Sequence, residues 1–279
     1  MDNKQKKELM ITANNIRRGI IDGVYSAGSG HPGGSLSIAD VLAYLYFKEM
    51  RIDPKNPDWE DRDRLVLSKG HTAPGLYSAL ANRGYFPVEE LKTLRKPGSF
   101  LQGHPDMRGT PGCDMSSGSL GQGISVACGM ALASKLDGDR FRVYAIMGDG
   151  ELEEGQVWEA AMFAGDKKLD TLCAIVDNNN LQIDGTLDEV NAPYPIDKKF
   201  EAFNFNVIKV NGHDFDELDD AFTRARATKG MPTVIVMNTV KGKGVSFMEN
   251  NVGWHGAAPN DEQYRQAMHD LDEIEKSIK

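Results

Sequence analysis

Two oxygen-bearing side chains, Asp149 and Asn179, stand thirty residues apart, each just after an apolar run. Val143-Tyr144-Ala145-Ile146-Met147 leads into Gly148-Asp149-Gly150, and Thr171 to Val176 leads into Asp177-Asn178-Asn179-Asn180. A carboxylate, a carboxamide and a nearby backbone carbonyl make a hard, oxygen-only donor set that suits Mg²⁺ or Ca²⁺. Mg²⁺ usually completes its octahedron with substrate phosphates and water. The pattern therefore fits a cation that bridges both side chains to a diphosphate. Asp and Asn are also the usual cap and turn residues, and these two positions alone leave both readings open.

The histidines form a second pattern. Five of the six, His31, His71, His104, His213 and His255, adjoin a glycine, where 29 glycines in 279 residues would place about one by chance. Rings on sharp turns can converge on a pocket, and imidazole is suited to moving protons near neutral pH. Surface loops are also rich in both residues, so the joint pattern carries more than any single ring. His213, after Asn211-Gly212, reads as a turn residue or a group supporting the site from behind, and His269 as solvated helix surface.

The elements that position these groups alternate between strand and helix. Helices are expected over 4–27, 37–50, 73–82 and 88–95, from about 118 to 136, after Gly150, over 216–229 and from 260 to the end. Short apolar runs at 64–68, 143–147, 171–176, 206–210 and 233–237 read as strands. Ser37 and Asp40 suggest an N-terminal cap for the second helix, whereas Gly28 to Gly34 carries too many glycines for helix or central strand. The stretches 96–119 and 241–259 are long, Gly-rich and irregular, as functional loops are. Such alternation predicts an α/β fold, a doubly wound parallel sheet with helices on both faces. One domain over 1–279 is expected, with a C-terminal helix over 260–279. In such sheets ligands bind beyond the strand ends, where Asp149 and Asn179 lie, and the helix after Gly150 points free N–H groups at an anion there. Glu151 and Glu153 read as solvated helix-start acids.

Gly148-Asp149-Gly150 followed by Asn178-Asn179 resembles the thiamin diphosphate motif of thiamin-dependent enzymes. Glu154-Gly155, Glu159-Ala160 and Ile183-Asp184-Gly185 are similar to one branch, the transketolases. Ser29-Gly30-His31-Pro32-Gly33, Ser68-Lys69-Gly70-His71, Gly103-His104-Pro105 and His255-Gly256 resemble that family's histidine motifs, in family order. The resemblance implies a metal held by the Asp149 and Asn179 side chains and the Leu181 carbonyl. It implies a diphosphate against His71 and His255, with Gly148, Gly150 and Gly118-Ser119-Leu120 along the cofactor and Ile183 under the thiazolium. His31, His104 and His255 would line the sugar channel and handle hydroxyl protons, Glu154 would sit at an interface with a second copy, and Lys241 is either an active-site lysine or a solvated loop residue. Ser119 stands where many transketolases carry proline.

The match covers almost the whole chain but only the diphosphate-binding part of a one-chain transketolase, which is more than twice this length. The chain is therefore expected to be the N-terminal subunit of a split transketolase, moving a two-carbon ketol unit from a ketose to an aldose with thiamin diphosphate and Mg²⁺. A C-terminal subunit would supply the pyrimidine-binding part, with two copies of each subunit. The sugars could be pentose phosphates or specialised ones. Half of a deoxyxylulose-phosphate synthase would share the Asp149 motif but generally lacks the sequence around His31. A 2-oxoacid dehydrogenase α subunit lacks the histidine set, and a non-enzymatic cofactor-binding module would need none of it. The balance of 32 basic and 41 acidic residues, −9, argues against nucleic acid or anionic membrane as a main partner. Cys113, Cys128 and Cys173 lack metal or redox spacing and read as reduced, buried thiols. With no apolar signal core or membrane-spanning run, a cytoplasmic location is expected.

Overall fold

The computed structural model describes residues 1–139 and 141–279. Five parallel strands form one sheet: β1 (Arg64–Leu67), β2 (Val143–Gly148), β3 (Leu172–Asn178), β4 (Asn206–Asn211) and β5 (Thr233–Asn238), in the order β1-β2-β3-β5-β4. Around it run α1 (Asn3–Ala27), α2 (Pro32–Ser37), α3 (Ala39–Tyr44), α4 (Ala73–Arg83), α5 (Gln122–Asp137), α6 (Gly155–Asp166), α7 (Leu187–Val190), α8 (Ile196–Ala202), α9 (Phe215–Ala227) and α10 (Asp261–Ile278).

Alternation along each strand splits the core in two. Leu65, Leu67, Tyr144, Ile146, Cys173 and Ile175 pack with α1, α3, α4, α9 and α10. Val66, Val143, Ala145, Leu172, Ala174 and Val176 point the other way, against α5, α6 and α8. Both faces are covered, which is why the strands read as continuous apolar runs. The doubly wound parallel sheet expected from the sequence is the one observed.

The register aligns the strand ends that matter. Gly148 lies opposite Asp177, and Asn178 opposite Asn238, so the loops carrying Asp149, Asn179 and Thr239 leave from one edge. The chain after β3 turns to the face that holds α8, and the chain after β5 to the face that holds α10. Adjacent strands whose connections part to opposite faces leave a crevice between them.

Several local expectations fail for physical reasons. The Gly-rich stretch does contain helix, because Pro32 starts α2 at a position where its fixed φ and missing N–H cost nothing. Gly33 and Gly34 serve close approach instead: a Cβ on Gly33 would sit 2.8 Å from the Trp254 carbonyl, and one on Gly34 2.9 Å from Thr72 Cγ2. The helix expected over 37–50 breaks at Ile38 and ends as a π-helical turn over Leu45–Glu49. Ser37 and Asp40 do not cap it. Ser37 Oγ donates to Asp177 at 2.6 Å, and Asp40 is buried against Arg17 and His213. Residues Val88–Thr93 form a 3₁₀ turn rather than an α-helix. The short α8, buried through Ile196 and Phe200, has too few turns to show a helical period in the sequence.

Candidate active site

The crevice beyond β2, β3 and β5 is a cavity of about 270 Å³. It gathers His31, His71, His255, Gly118, Leu120, Gly148, Asp149, Gly150, Asn179, Leu181, Ile183 and Lys241 from six separate stretches of chain. Three expected residues lie outside this lining. His104 packs beside it, its ring carbons 3.3–3.4 Å from where a Cβ on Gly118 would stand. Ser119 is exposed and lines a neighbouring depression with Gln122. Glu154 is exposed, stands against Gly121, and its carboxylate makes no hydrogen bond among the described residues.

Asp149 does both things its residue type allowed. It accepts from Gly150 N at 2.9 Å as a cap and from Asn180 N at 2.6 Å, which ties the β2 loop to the β3 loop. It is 2% exposed, yet no lysine or arginine among the described residues pairs with it. Burial, and then the nearby Asp177 charge, push its carboxyl up to about 7. A buried carboxylate in that position is costly until a cation arrives. Asn179 turns its Nδ2 to Asp177 at 2.9 Å, which leaves Oδ1 as the acceptor facing the Leu181 loop. The Leu181 carbonyl accepts from Lys241 Nζ at 2.9 Å. One carboxylate, one amide oxygen and one carbonyl therefore fit a hard divalent cation. No group of three His, Cys, Asp or Glu could hold a metal among the described residues, as a set with only one ionisable donor requires.

Beneath this set lies a buried ion pair. Lys69 Nζ donates to Asp177 at 2.5 Å and to the Gly34 carbonyl at 2.9 Å. Burial alone would raise the Asp177 carboxyl, but the Lys69 charge and hydrogen bonds from Lys69, Ser37 and Thr239 hold it below its usual range. Sequence reasoning misses Lys69, Gly34, Gln182 and Glu151. Glu151 is corrected from solvated acid to buried brace: it is 2% exposed and accepts from Ser68 Oγ, Gly121 N and Gly148 N. Lys69 is visible in the Ser68-Lys69-Gly70-His71 motif, whereas Glu151 gives no signal, since helix-start acids are usually solvated.

Three rings stand together, His31, His71 and His255, with centroids 5.2–5.4 Å apart. Burial lowers all three, helped by Arg95 for His31 (to about 4), Lys69 for His71 (to about 2) and Lys241 for His255 (to about 3). All are neutral at pH 7. Lys241 is buried, not solvated, and burial with the Lys69 charge lowers it to about 8. Its ammonium donates to His255 Nδ1 at 3.0 Å, so the neutral ring carries its proton on Nε2. His31 Nδ1 is buried with no hydrogen-bond partner among the described residues, a polar atom left for a ligand. His213 is structural: Nδ1 meets Asp40 at 2.7 Å and Nε2 accepts from Val240 N at 2.9 Å, fixing the start of the Lys241 loop.

Comparison with known proteins agrees with this geometry. The transketolase thiamine diphosphate-binding domain family matches residues 8–273. The chain is 49% identical over 269 residues to the 6-deoxy-6-sulfo-D-fructose transketolase subunit SqwG of Clostridium sp. (strain MSTE9), covering 96% of this chain and 98% of that one. One of the apulose-4-phosphate transketolase subunits of Phocaeicola vulgatus is 41% identical over 98% of this chain and 97% of its own. Human transketolase is 44% identical over 262 residues, and there the chain spans only 40% of the relative. The crystal structure of Campylobacter jejuni transketolase superposes with a TM-score of 0.89 at 34% identity, over 97% of this chain and 45% of that one. The chain belongs to the transketolase family and is built as its thiamine diphosphate-binding domain.

Proposed function

We propose that this chain is the diphosphate-binding subunit of a two-subunit, Mg²⁺-dependent transketolase that moves a two-carbon ketol unit from a ketose to an aldose. The observation that carries it is the pairing of a buried Asp149, which no lysine or arginine among the described residues bridges, with three neutral histidines in one cavity. Relatives of the same length are named as transketolase subunits, which supports a division of the enzyme between two chains. We read 1–279 as one domain that meets a pyrimidine-binding partner subunit, two copies of each, with Glu154 at the interface between copies. A cytoplasmic setting accords with three buried free cysteines, and no helix among the described residues is long and apolar enough to cross a membrane.

Bound thiamin diphosphate supplies the nucleophilic carbon and the electron sink for breaking the C–C bond. Asp149, the Asn179 amide oxygen and the Leu181 carbonyl would hold Mg²⁺, with Ca²⁺ a possible substitute. Gly148, Gly150 and the Gly118-Ser119-Leu120 backbone let the diphosphate approach closely. His255, with its proton on Nε2, and His71 are placed to donate to it. Lys241 would bring positive charge to the same place, and Ile183 would support the thiazolium. His31, His104 and His255, uncharged at neutral pH, can accept or return hydroxyl protons of the sugar. The test is to purify the chain with its partner and assay ketol transfer from pentose phosphates, sulfonated and branched ketoses, with and without Mg²⁺. No transfer from any of them, by a complex that binds thiamin diphosphate, contradicts the reading.

A further inference from the structure

Lys241 lines the cavity, yet the groups that aim it lie outside the lining. Its ammonium donates to the Leu181 carbonyl at 2.9 Å and to His255 Nδ1 at 3.0 Å, joining an expected metal ligand to an expected diphosphate contact. A flexible four-carbon stem gives a lysine no direction of its own, so the turn that carries it must be fixed. On the side of α2, Gly242 N donates to the Gly33 carbonyl at 2.9 Å. Three residues hold the other side. His213 Nε2 accepts from Val240 N at 2.9 Å, and Arg17 Nε donates to the Lys243 carbonyl at 3.1 Å. Asp40 joins the two, meeting Arg17 Nη2 and, at 2.7 Å, His213 Nδ1. The arginine stem lies across Gly244, φ 93°, where an added Cβ would stand 2.9 Å from Arg17 Cδ.

Side chains from α1, α3 and the turn after β4 thus converge on residues 240–243. A depression of about 510 Å³ opens behind Lys243 and Gly244, so hydrogen bonds rather than packed apolar side chains set the turn there. A buried Arg–carboxylate pair is a weak source of stability, but it can fix a geometry. Burial alone would raise the Asp40 carboxyl; the Arg17 charge and the bond from His213 hold it below its usual range. Asp40 therefore stays ionised and accepts from Nδ1–H of His213. That leaves Nε2 with the lone pair that Val240 N–H needs. We propose that Arg17, Asp40 and His213 are positioning residues, which hold the turn over 240–243 so that Lys241 points between His255 and the Leu181 carbonyl at the diphosphate. This rests on the cofactor placement given above, and it extends the support of the site back to α1.

The experiment measures thiamin diphosphate affinity by calorimetry, at saturating Mg²⁺, for the complex of this chain and its partner. His213→Asn keeps an amide for Asp40 but is too short to reach Val240 N. It should weaken the cofactor ~10-fold or more, the scale for groups that orient a ligand-holding side chain. His213→Gln, whose longer amide can again accept from Val240 N, should recover most of the loss. In a Lys241→Met background, His213→Asn should change affinity less than about twofold, because both act through one side chain. Unchanged affinity in His213→Asn, or losses that simply multiply in the double variant, overturns the proposal. Nitrogen NMR of the histidine rings in the wild-type complex needs no variant to fold. His213 should carry its proton on Nδ1 and His255 on Nε2, and the opposite tautomer at His213 overturns the proposal. In His213→Asn the His255 tautomer should become mixed, a change that a general loss of stability would not produce. Every arm reads binding or tautomer rather than turnover. A complex that shows this pattern but transfers no ketol group supports the positioning role and contradicts the function proposed above. A complex that binds no thiamin diphosphate contradicts both.

Discussion

Asp149 is the one carboxylate in the proposed cation site, and its surroundings make it a test of that whole site. Asp149→Ala removes a buried carboxylate that burial and Asp177 already disfavour. Losing the cap and the bond from Asn180 N should cost about 1–2 kcal/mol of folding stability, offset in part by removing a disfavoured buried carboxylate. Mg²⁺-dependent affinity for thiamin diphosphate in the assembled enzyme should fall on the order of 10²-fold or more. Calorimetry finding unchanged affinity would sink the assignment. The histidines divide by position: His71 lines the cavity wall beside Lys69, whereas His104 stands outside the lining, against Gly118. His104→Ala should lower turnover about 10²-fold with cofactor affinity nearly intact, and His71→Ala should chiefly weaken the cofactor. The reverse ranking in paired kinetics and binding would refute these roles. The three clustered rings also fix a pH response. Their folded values lie at or below about 4, beneath the ordinary 6.5. Unfolding therefore takes up protons at these rings, and the stability they confer is present above pH 6.5 and lost progressively as pH falls from there through about 4 for His31, 3 for His255 and 2 for His71. Proton NMR should show none of the three titrating between pH 5 and 8; a midpoint near 6.5 for any of them contradicts the burial account. Glycine punctuation singled out Asp149 and these rings, because it marks where backbone must turn or yield to a ligand, but the roles expected of them came from the family resemblance. Lys241 was left open because a loop lysine gives no hint that another charge, Lys69, lies beneath it.

Strands and long helices were legible for the opposite reason, since their apolar periods run over many residues. The misreadings fall where tertiary contacts overrule local pattern. Ser37 and Asp40 look like cap residues, but each is drawn into a buried bond with a distant partner, Asp177 in one case and Arg17 and His213 in the other. Glu151 is the strongest instance. From the short turn after β2 it reaches three donors that join β1, β2 and the entry of α5. Gly123 allows that junction to close, since a Cβ there would meet the Ser68 side chain at 2.5–2.6 Å. Removing the carboxylate strands two buried backbone N–H groups and one hydroxyl. Glu151→Ala should cost about 2–4 kcal/mol of stability, read by urea denaturation, with Glu151→Gln recovering part. A loss under about 1 kcal/mol would mean that water replaces the brace.

At the scale of the molecule, the sheet edge collects every group that would hold a diphosphate, and the crevice between β3 and β5 gives it a floor. Ile183, on the cavity wall, is 60% exposed. An apolar residue so exposed on the wall of a cavity is suited to be covered by a ligand, as the proposed contact with the thiazolium would do. Fold class was legible from strand–helix alternation alone; the division of labour between two chains came from family resemblance and is supported by relatives of equal length. On the proposed division, ketol transfer requires both chains. A reconstitution titration tests this by following aldose-dependent product formation at saturating thiamin diphosphate and Mg²⁺. Activity should be negligible for this chain alone and rise linearly with added partner until the two are equimolar, then stay level. Full turnover by this chain, shown by mass spectrometry to be free of partner, would contradict the account.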